Sequence, residues 1–281
     1  MLTKLIKHEF KAVSKLLGIL VGFMVVMTLL GALGSFIIAP ILDAPRFANA
    51  NNDTASTIVG ILTTVYFLAY ALAAFVLAAG TFVYLGVRFY HSMYGNSGYL
   101  TNTLPATPIQ LITAKLVTAV SWVAASITIL FLCVTGLITA ILLSFDDFTM
   151  AVSMANISSA LGEANDALRL IGLSFGLMAL LAIVAIVNGV LMMYGACALG
   201  QLVKKHRILA AVGFYYAINI ALQFVVTVVA TVFITMPNAL SAVQVPSFRG
   251  PAVANLIMML ATGAGLFVLT HFVTAKKLNL E

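Results

Sequence analysis

Six long apolar runs, unbroken by charge except at one end of the third, dominate this chain. They cover residues 16–41, 58–87, 111–143, 170–200, 208–235 and 252–274. A helix needs about 20 mostly apolar residues to cross a bilayer's hydrocarbon core. Every run meets that length, and several exceed it, so they tilt or project beyond the lipid. The composition leaves little room for another solvent. Of 281 residues 63% are hydrophobic and 8% charged, where a soluble domain carries about 25% charged residues. All seven prolines fall outside the cores of the runs, at Pro40, Pro45, Pro105, Pro108, Pro237, Pro246 and Pro251. Proline interrupts helices, so it supports these boundaries independently of hydropathy. The expected fold is an all-α integral membrane protein with six transmembrane helices.

Placing the basic residues orients the helices. Eleven fall on one side: Lys4, Lys7, Lys11, Lys15, Arg88, Lys115, Lys204, Lys205, Arg207, Lys276 and Lys277. Three fall on the other: Arg46, Arg169 and Arg249. The positive-inside rule then puts both termini in the cytoplasm. The net charge of +6 is thus a topology signal, and no nucleic-acid partner is expected. The domain plan is an interfacial helix over 1–15, a transmembrane domain over 16–275 and a cytoplasmic tail over 276–281. Extracytoplasmic loops are expected at 42–57, 144–169 and 236–251, and a cytoplasmic loop at 88–115. The N-terminal apolar run is too long for a secretory signal and reads as a retained span.

The first segment is amphipathic. At about 100° per residue, Lys4, Lys7, Lys11 and Lys15 share one stripe, opposite Leu2, Leu5, Ile6, Phe10, Val13, Leu16 and Leu17. Such a helix suits the membrane interface, with its lysines toward anionic headgroups. Glu9 falls in the middle of the apolar arc, where an unpaired carboxylate is costly. It therefore requires a polar partner within the protein, for which Arg88 and Lys115 are the candidates.

The cytoplasmic loop reads RFYHSMYGNSGYLTNTLPATPIQLITAK. Gly95-Asn96-Ser97-Gly98 is a turn signal. Pro108 suits the first turn of a helix, with Thr107 as its cap. Tyr99, Leu100, Leu104 and Pro105 form either an apolar knob facing the cytosol or an ordinary loop packed on its own helix ends.

The stretch 98–115 carries G-Y-L-x-x-T-L-P-x-[ST]-x-x-Q-L-x-x-[AS]-K. It resembles the first cytoplasmic loop of bacterial ATP-binding-cassette (ABC) transporter permeases of the type-2 exporter class. Lys7–Lys11 (KHEFK) resembles their elbow helix, and Lys276–Glu281 (KKLNLE) a common ending of Gram-positive members. The resemblance spans the whole six-helix plan. It implies an exporter permease in the bacterial plasma membrane, working as a dimer with a second copy or a homologous permease. A separate cytosolic ABC ATPase would hold the ATP and magnesium, with no cofactor in this chain. It also implies that Tyr99, Leu100, Thr103, Leu104, Pro105 and Gln110 form the coupling helix that docks on that ATPase. Lys7, Glu9, Phe10 and Lys11 would belong to the elbow.

Other chemistry is thinly represented. No G-x-x-x-x-G-K-[ST] phosphate loop and no H-E-x-x-H metal motif occurs. No Asp, Glu, Lys or Arg lies deep in a span, which argues against an ion-coupled carrier. His8, His91, His206 and His271 share no ligand spacing, so no metal site is expected. Asp146-Asp147 lacks the further acids of a diphosphate site and suits a solvated turn or a helix cap. Phe148, Val152, Ala155, Ile157 and Leu161 have a loose helical period, suggesting a short external helix. Cys133 and Cys197 sit in apolar runs and read as small buried side chains.

The hydroxyls of Thr28, Ser126, Thr128, Thr135, Thr139 and Thr227 are expected to bond their own helix backbones. The amides of Asn188, Asn219 and Gln223 need partners, and serve either helix packing or a translocation path; Asn255 is a further amide within a span. Gly18-x-x-x-Gly22 and Gly172-x-x-x-Gly176 permit close helix contact, within the chain or between copies. Without charge at mid-membrane, amphipathic or hydrophobic cargo (peptide, drug or lipid) is expected. The competing reading is a free-standing channel, immunity protein or sensor with no ATPase.

Overall fold

The computed structural model describes residues 2–42, 53–95, 107–144, 158–159, 161–163, 166, 175–203, 206–240 and 249–276. Among these there is no strand. Six long helices account for nearly all of them: α1 Leu2–Leu42, α2 Asp53–Met93, α3 Pro108–Leu143, α4 Phe175–Gly200, α5 Arg207–Leu240 and α6 Arg249–Lys276. Each is long and apolar enough to cross a membrane. The chain is a multi-pass, all-α membrane protein, as its hydropathy requires.

The helices outrun the apolar segments. At 1.5 Å per residue, the 41 residues of α1 or α2 extend about 60 Å, twice the roughly 30 Å of hydrocarbon. No break separates residues 1–15 from the first span: α1 is one continuous helix. Only helix-compatible residues stand at that junction, so nothing forces an elbow between an interfacial piece and a transmembrane piece. Likewise α1 continues past Pro40 to Leu42, and α5 past Pro237 to Leu240. Proline removes one backbone donor, which the end of a helix tolerates better than its middle. Pro251 lies in the first turn of α6, where the backbone N–H has no intrahelical partner to lose. The expected external loops therefore shrink at their edges. Of the external helix expected over 144–169, Leu161 is helical and exposed; Phe148, Val152, Ala155 and Ile157 lie outside the described residues.

Two compact units make up the chain. The first comprises Lys11–Val83 and Trp122–Ala160. Its core is Met24, Tyr70, Ala73, Leu77, Cys133 and Leu137, drawn from α1, α2 and α3. Polar groups there are paired: Tyr66 Oη donates to the Met27 carbonyl at 2.7 Å, and the Thr28 and Tyr70 hydroxyls are 3.3 Å apart. Gly31 leaves room for the Tyr66 ring. Thr128, Thr135 and Thr139 donate to their own helix backbone, as expected of hydroxyls in lipid. Among the described residues, Gly18 and Gly22 have nothing within 4 Å of an added Cβ.

The other unit comprises Met1–Phe10, Tyr84–Ser121 and Leu161–Glu281. Here α4 packs against both α5 and α6. Eight of its last ten residues are buried, Tyr194 wholly so. A Cβ on Gly200 would lie 2.7 Å from the Cβ and 2.9 Å from the backbone N of Ala211. That contact is possible only without a side chain, and it brings the start of α5 against the end of α4. His206, with φ 57°, makes the left-handed step just before α5, a conformation His adopts more readily than most residues.

A Gly200→Ala change should destabilise the protein by about 1–3 kcal/mol, because backbone must move to admit the methyl. Gly60→Ala, on an open helical surface, should be neutral or slightly stabilising. Thermal unfolding in detergent distinguishes them. Equal melting of the two variants would contradict the close α4–α5 contact.

Candidate functional site

The charged residues near one end of this second unit converge on Glu9. Its Oε2 lies 3.2 Å from Arg88 Nη2 and its Oε1 lies 2.6 Å from Lys115 Nζ. The carboxylate comes from α1, the guanidinium from the last turns of α2, and the ammonium from the third turn of α3. Both candidates proposed from sequence are therefore partners at once. The cluster is substantially withdrawn from water: the side chains are 17% (Glu9), 28% (Arg88) and 6% (Lys115) exposed. An ammonium buried to that degree requires an anion, and Glu9 supplies it. One carboxylate with both oxygens engaged by cations ties three helices together.

Aromatic residues wall the cluster. Tyr194 on α4 is fully buried, and its hydroxyl donates to the backbone carbonyl of Lys115 at 3.1 Å. Its ring stacks on Phe89, with centroids 3.7 Å apart and planes within 10°. Phe89 meets Tyr94 edge to face at 6.0 Å. The Tyr94 hydroxyl in turn lies 3.2 Å from that of Thr274, near the end of α6. Phe89, Tyr94, Tyr194 and Thr274 are not marked by any motif in the sequence. The available signal was the placement of aromatics with hydroxyls at helix ends, where a polar tip finds a partner.

Both flanks of the following loop are fixed. The α2 end closes with the Tyr94 and Gly95 amides, both bonded to the Tyr90 carbonyl. Gly95 is required there, since a Cβ would sit 2.8 Å from the His91 carbonyl oxygen. On the other flank α3 starts with a reciprocal cap. The Gln110 amide donates to Thr107 Oγ1 at 3.4 Å, and the Thr107 amide donates to Gln110 Oε1 at 3.3 Å. This is a capping box with Pro108 at its first helical position. Thr107 caps as its sequence predicts. Gln110, expected among the docking residues, spends its carbonyl oxygen on this cap. Tyr99, Leu100, Thr103, Leu104 and Pro105 lie outside the described residues.

The remaining candidates divide. Lys7, Phe10 and Lys11 are exposed on α1. Asn188 is buried on α4; its Oδ1 accepts from Thr262 of α6 at 3.4 Å, and its amide faces Met192 Sδ at 3.9 Å. Asn188 thus serves helix packing. Asn219 donates to the Tyr215 carbonyl one turn back on its own helix. Gln223 is exposed on α5. Asn255 Oδ1 is buried without a hydrogen-bond partner. Cys133 and Cys197 are free and buried. Among the described residues no three His, Cys, Asp or Glu side chains gather as metal ligands. Gly172-Leu173-Ser174-Phe175-Gly176 spells the nucleophile-elbow string G-x-S-x-G. An elbow needs a strand before its helix, and Gly172, Leu173 and Ser174 lie outside the described residues.

No protein-family model, no curated protein and no solved structure matches this chain.

Replacing Glu9 by Gln should cost about 3–5 kcal/mol, the penalty for leaving buried cations without their counter-charge. Removing the need for the charge should recover much of it: Glu9→Leu with Lys115→Met buries apolar groups in place of the pair. A double-mutant cycle in thermal stability measures the coupling. Additive single effects would mean that the pair does not interact as described.

Proposed function

We propose that this chain is the permease subunit of an ABC exporter in a bacterial plasma membrane, with both termini cytoplasmic. A separate cytosolic ATPase powers it, and a second permease completes it. The observation that carries this reading is the Glu9 cluster. The loop 96–106 joins α2 to α3, and one carboxylate from α1 grips both of those helices beside it. A push on the loop by a partner would enter α2 through its capped end and α3 through the Thr107–Gln110 box. It would reach α1 through Glu9 and α6 through Tyr94–Thr274. Motion applied at one short loop would thus be shared by four helices, which is what an externally driven transporter needs.

Other features agree with that assignment. The loop carries the T-L-P-x-T-x-x-Q signature of the permease family. The start of α1, the end of α2 and the start of α3 meet at a single basic cluster, as helices that alternate across a membrane require. The chain has no phosphate-binding loop, so a pump built on it draws its energy from another polypeptide. Cargo would be amphipathic or hydrophobic, since no charged side chain marks the middle of a span.

Leu104→Asp tests the lever. The variant should insert in the membrane at the usual level, yet lose co-purification with an ATPase of about 25–35 kDa, the size of one domain or slightly more, and lose the transport that depends on it. A cysteine at position 104 should react with an impermeant thiol reagent only after the cells are opened. Labelling in intact cells, or full transport by Leu104→Asp, would sink the assignment.

A further inference from the structure

The Glu9 cluster carries one positive charge too many. Every charge in it touches an opposite one, yet two cations share a single carboxylate. Lys115 has the stronger claim on Glu9. It lies at 2.6 Å against 3.2 Å for Arg88, and its side chain is 6% exposed against 28%. Arg88 is therefore the surplus ion. A guanidinium has five N–H donors in a flat fork, and its strongest pairings with oxyanions use two of them. Here one, on Nη2, reaches Glu9. Nε is shut off from water and has no acceptor among the described residues, a costly state for a charged donor.

The chain has little with which to supply that acceptor itself. Residues 89–114 contain no Asp or Glu. Asp43, Asp53, Asp146 and Asp147 stand in sequence at the far ends of α1, α2 and α3, which lie about 40–50 Å along those helices from the cluster. Glu163 and Asp166 are exposed ahead of α4, which meets the cluster through Tyr194, toward its other end. Glu281 shares its segment with two cations of its own, Lys276 and Lys277. An anion from outside the chain is the remaining source, and its depth is defined. Arg88 directly follows the apolar run 58–87, where hydrocarbon gives way to the headgroup region.

We propose that Arg88 is a phosphate site, filled by the phosphodiester of an anionic lipid headgroup or by free phosphate, on the donors that Glu9 leaves open. Phosphate oxygens match the guanidinium fork, and one negative charge balances the cluster. Basic pockets between membrane helices hold lipid headgroups by the same chemistry. The partial exposure of Arg88 lets the anion enter from the lipid boundary, and a small turn of the side chain brings Nε to it. The lysine stripe of α1 is a separate surface. Lys4 and Lys7 lie about 140–160° away from Glu9 around the helix axis and are exposed, so they attract a charged bilayer without completing this site. The proposal does not rest on the transporter reading, because the surplus charge is there whether or not an ATPase binds.

The test follows thermal unfolding of the full chain in an uncharged detergent. Phosphatidylglycerol, phosphatidylcholine or inorganic phosphate is added, with ionic strength matched by sodium chloride. Phosphatidylglycerol in tenfold excess over its Kd should raise the midpoint by about 3–5 °C, and phosphatidylcholine should not. A rise with phosphatidylglycerol alone identifies a lipid headgroup; a rise with inorganic phosphate, alone or as well, leaves the site standing and identifies a soluble phosphate as a ligand. Arg88→Gln should lose the rise. In detergent alone it should melt closer to the unmodified chain than Glu9→Gln does, since Glu9 and Lys115 remain one anion against one cation. Lys4→Gln with Lys7→Gln should keep the rise. The site is overturned by no rise with either anion, or by a rise that survives Arg88→Gln. Loss of the rise on removing the two lysines would equally overturn it, by assigning the effect to the stripe. An Arg88→Gln variant melting as low as Glu9→Gln would show that Arg88 is no surplus ion and remove the premise.

Discussion

A single carboxylate holds the charged end of this protein together. Glu9 lies on the otherwise apolar arc of α1, where alone it would oppose burial. Lys115 is almost wholly buried on α3, where alone it would be equally unfavourable. Each makes the other tolerable, and Arg88 shares the same carboxylate. Desolvation penalties of several kcal/mol per ion make such a cluster an all-or-none arrangement. It adds less to net stability than its short distances suggest. What it fixes is geometry: the three helices have one mutual placement in which every charge is answered.

The neighbouring contacts inherit that placement. Tyr194 can donate to the Lys115 carbonyl only if α3 is held at that depth relative to α4. The stack of Tyr194 on Phe89 then sets the end of α2, and Tyr94 carries the linkage to Thr274. The hydroxyls of Tyr194, Tyr94 and Thr274 are paired and aromatic rings fill the space between. The loop between α2 and α3 consequently springs from two stiff, capped helix ends. A partner acting on that loop would meet a lever with little slack, which is why the cluster and the loop belong to one mechanical reading.

A contrast in polar chemistry runs through the spans. Thr128, Thr135 and Thr139 on α3 are satisfied locally, by the carbonyl one turn back, whereas the Ser126 hydroxyl, expected to do the same, lies 3.4 Å from that of Thr81 on α2. Amides divide between that solution and others. Asn188 reaches a neighbouring helix, Asn219 turns to its own backbone, and Gln223 faces outward. In lipid, where apolar surface does not by itself drive helices together, such polar residues carry much of the information about which faces meet.

The sequence by itself determined the number of helices and their rough limits. Both follow from one-dimensional quantities: run length and proline placement. It also determined that Glu9 needed a cation, since helical periodicity alone puts that carboxylate among apolar side chains. Thr107 as a cap was legible for the same local reason. Only the tertiary structure decided that Arg88 and Lys115 both answer Glu9. They lie 79 and 106 residues away, and no local rule relates such distances. It alone brought in Phe89, Tyr94 and Tyr194, whose roles depend on neighbours from other helices. It also assigned Gln110 to the cap of its own helix. Helix continuity through residue 15 was likewise decided by backbone hydrogen bonding, which amphipathic patterning does not specify. Local physics writes itself into a sequence residue by residue, whereas a contact between distant helices exists only once the chain has brought them together.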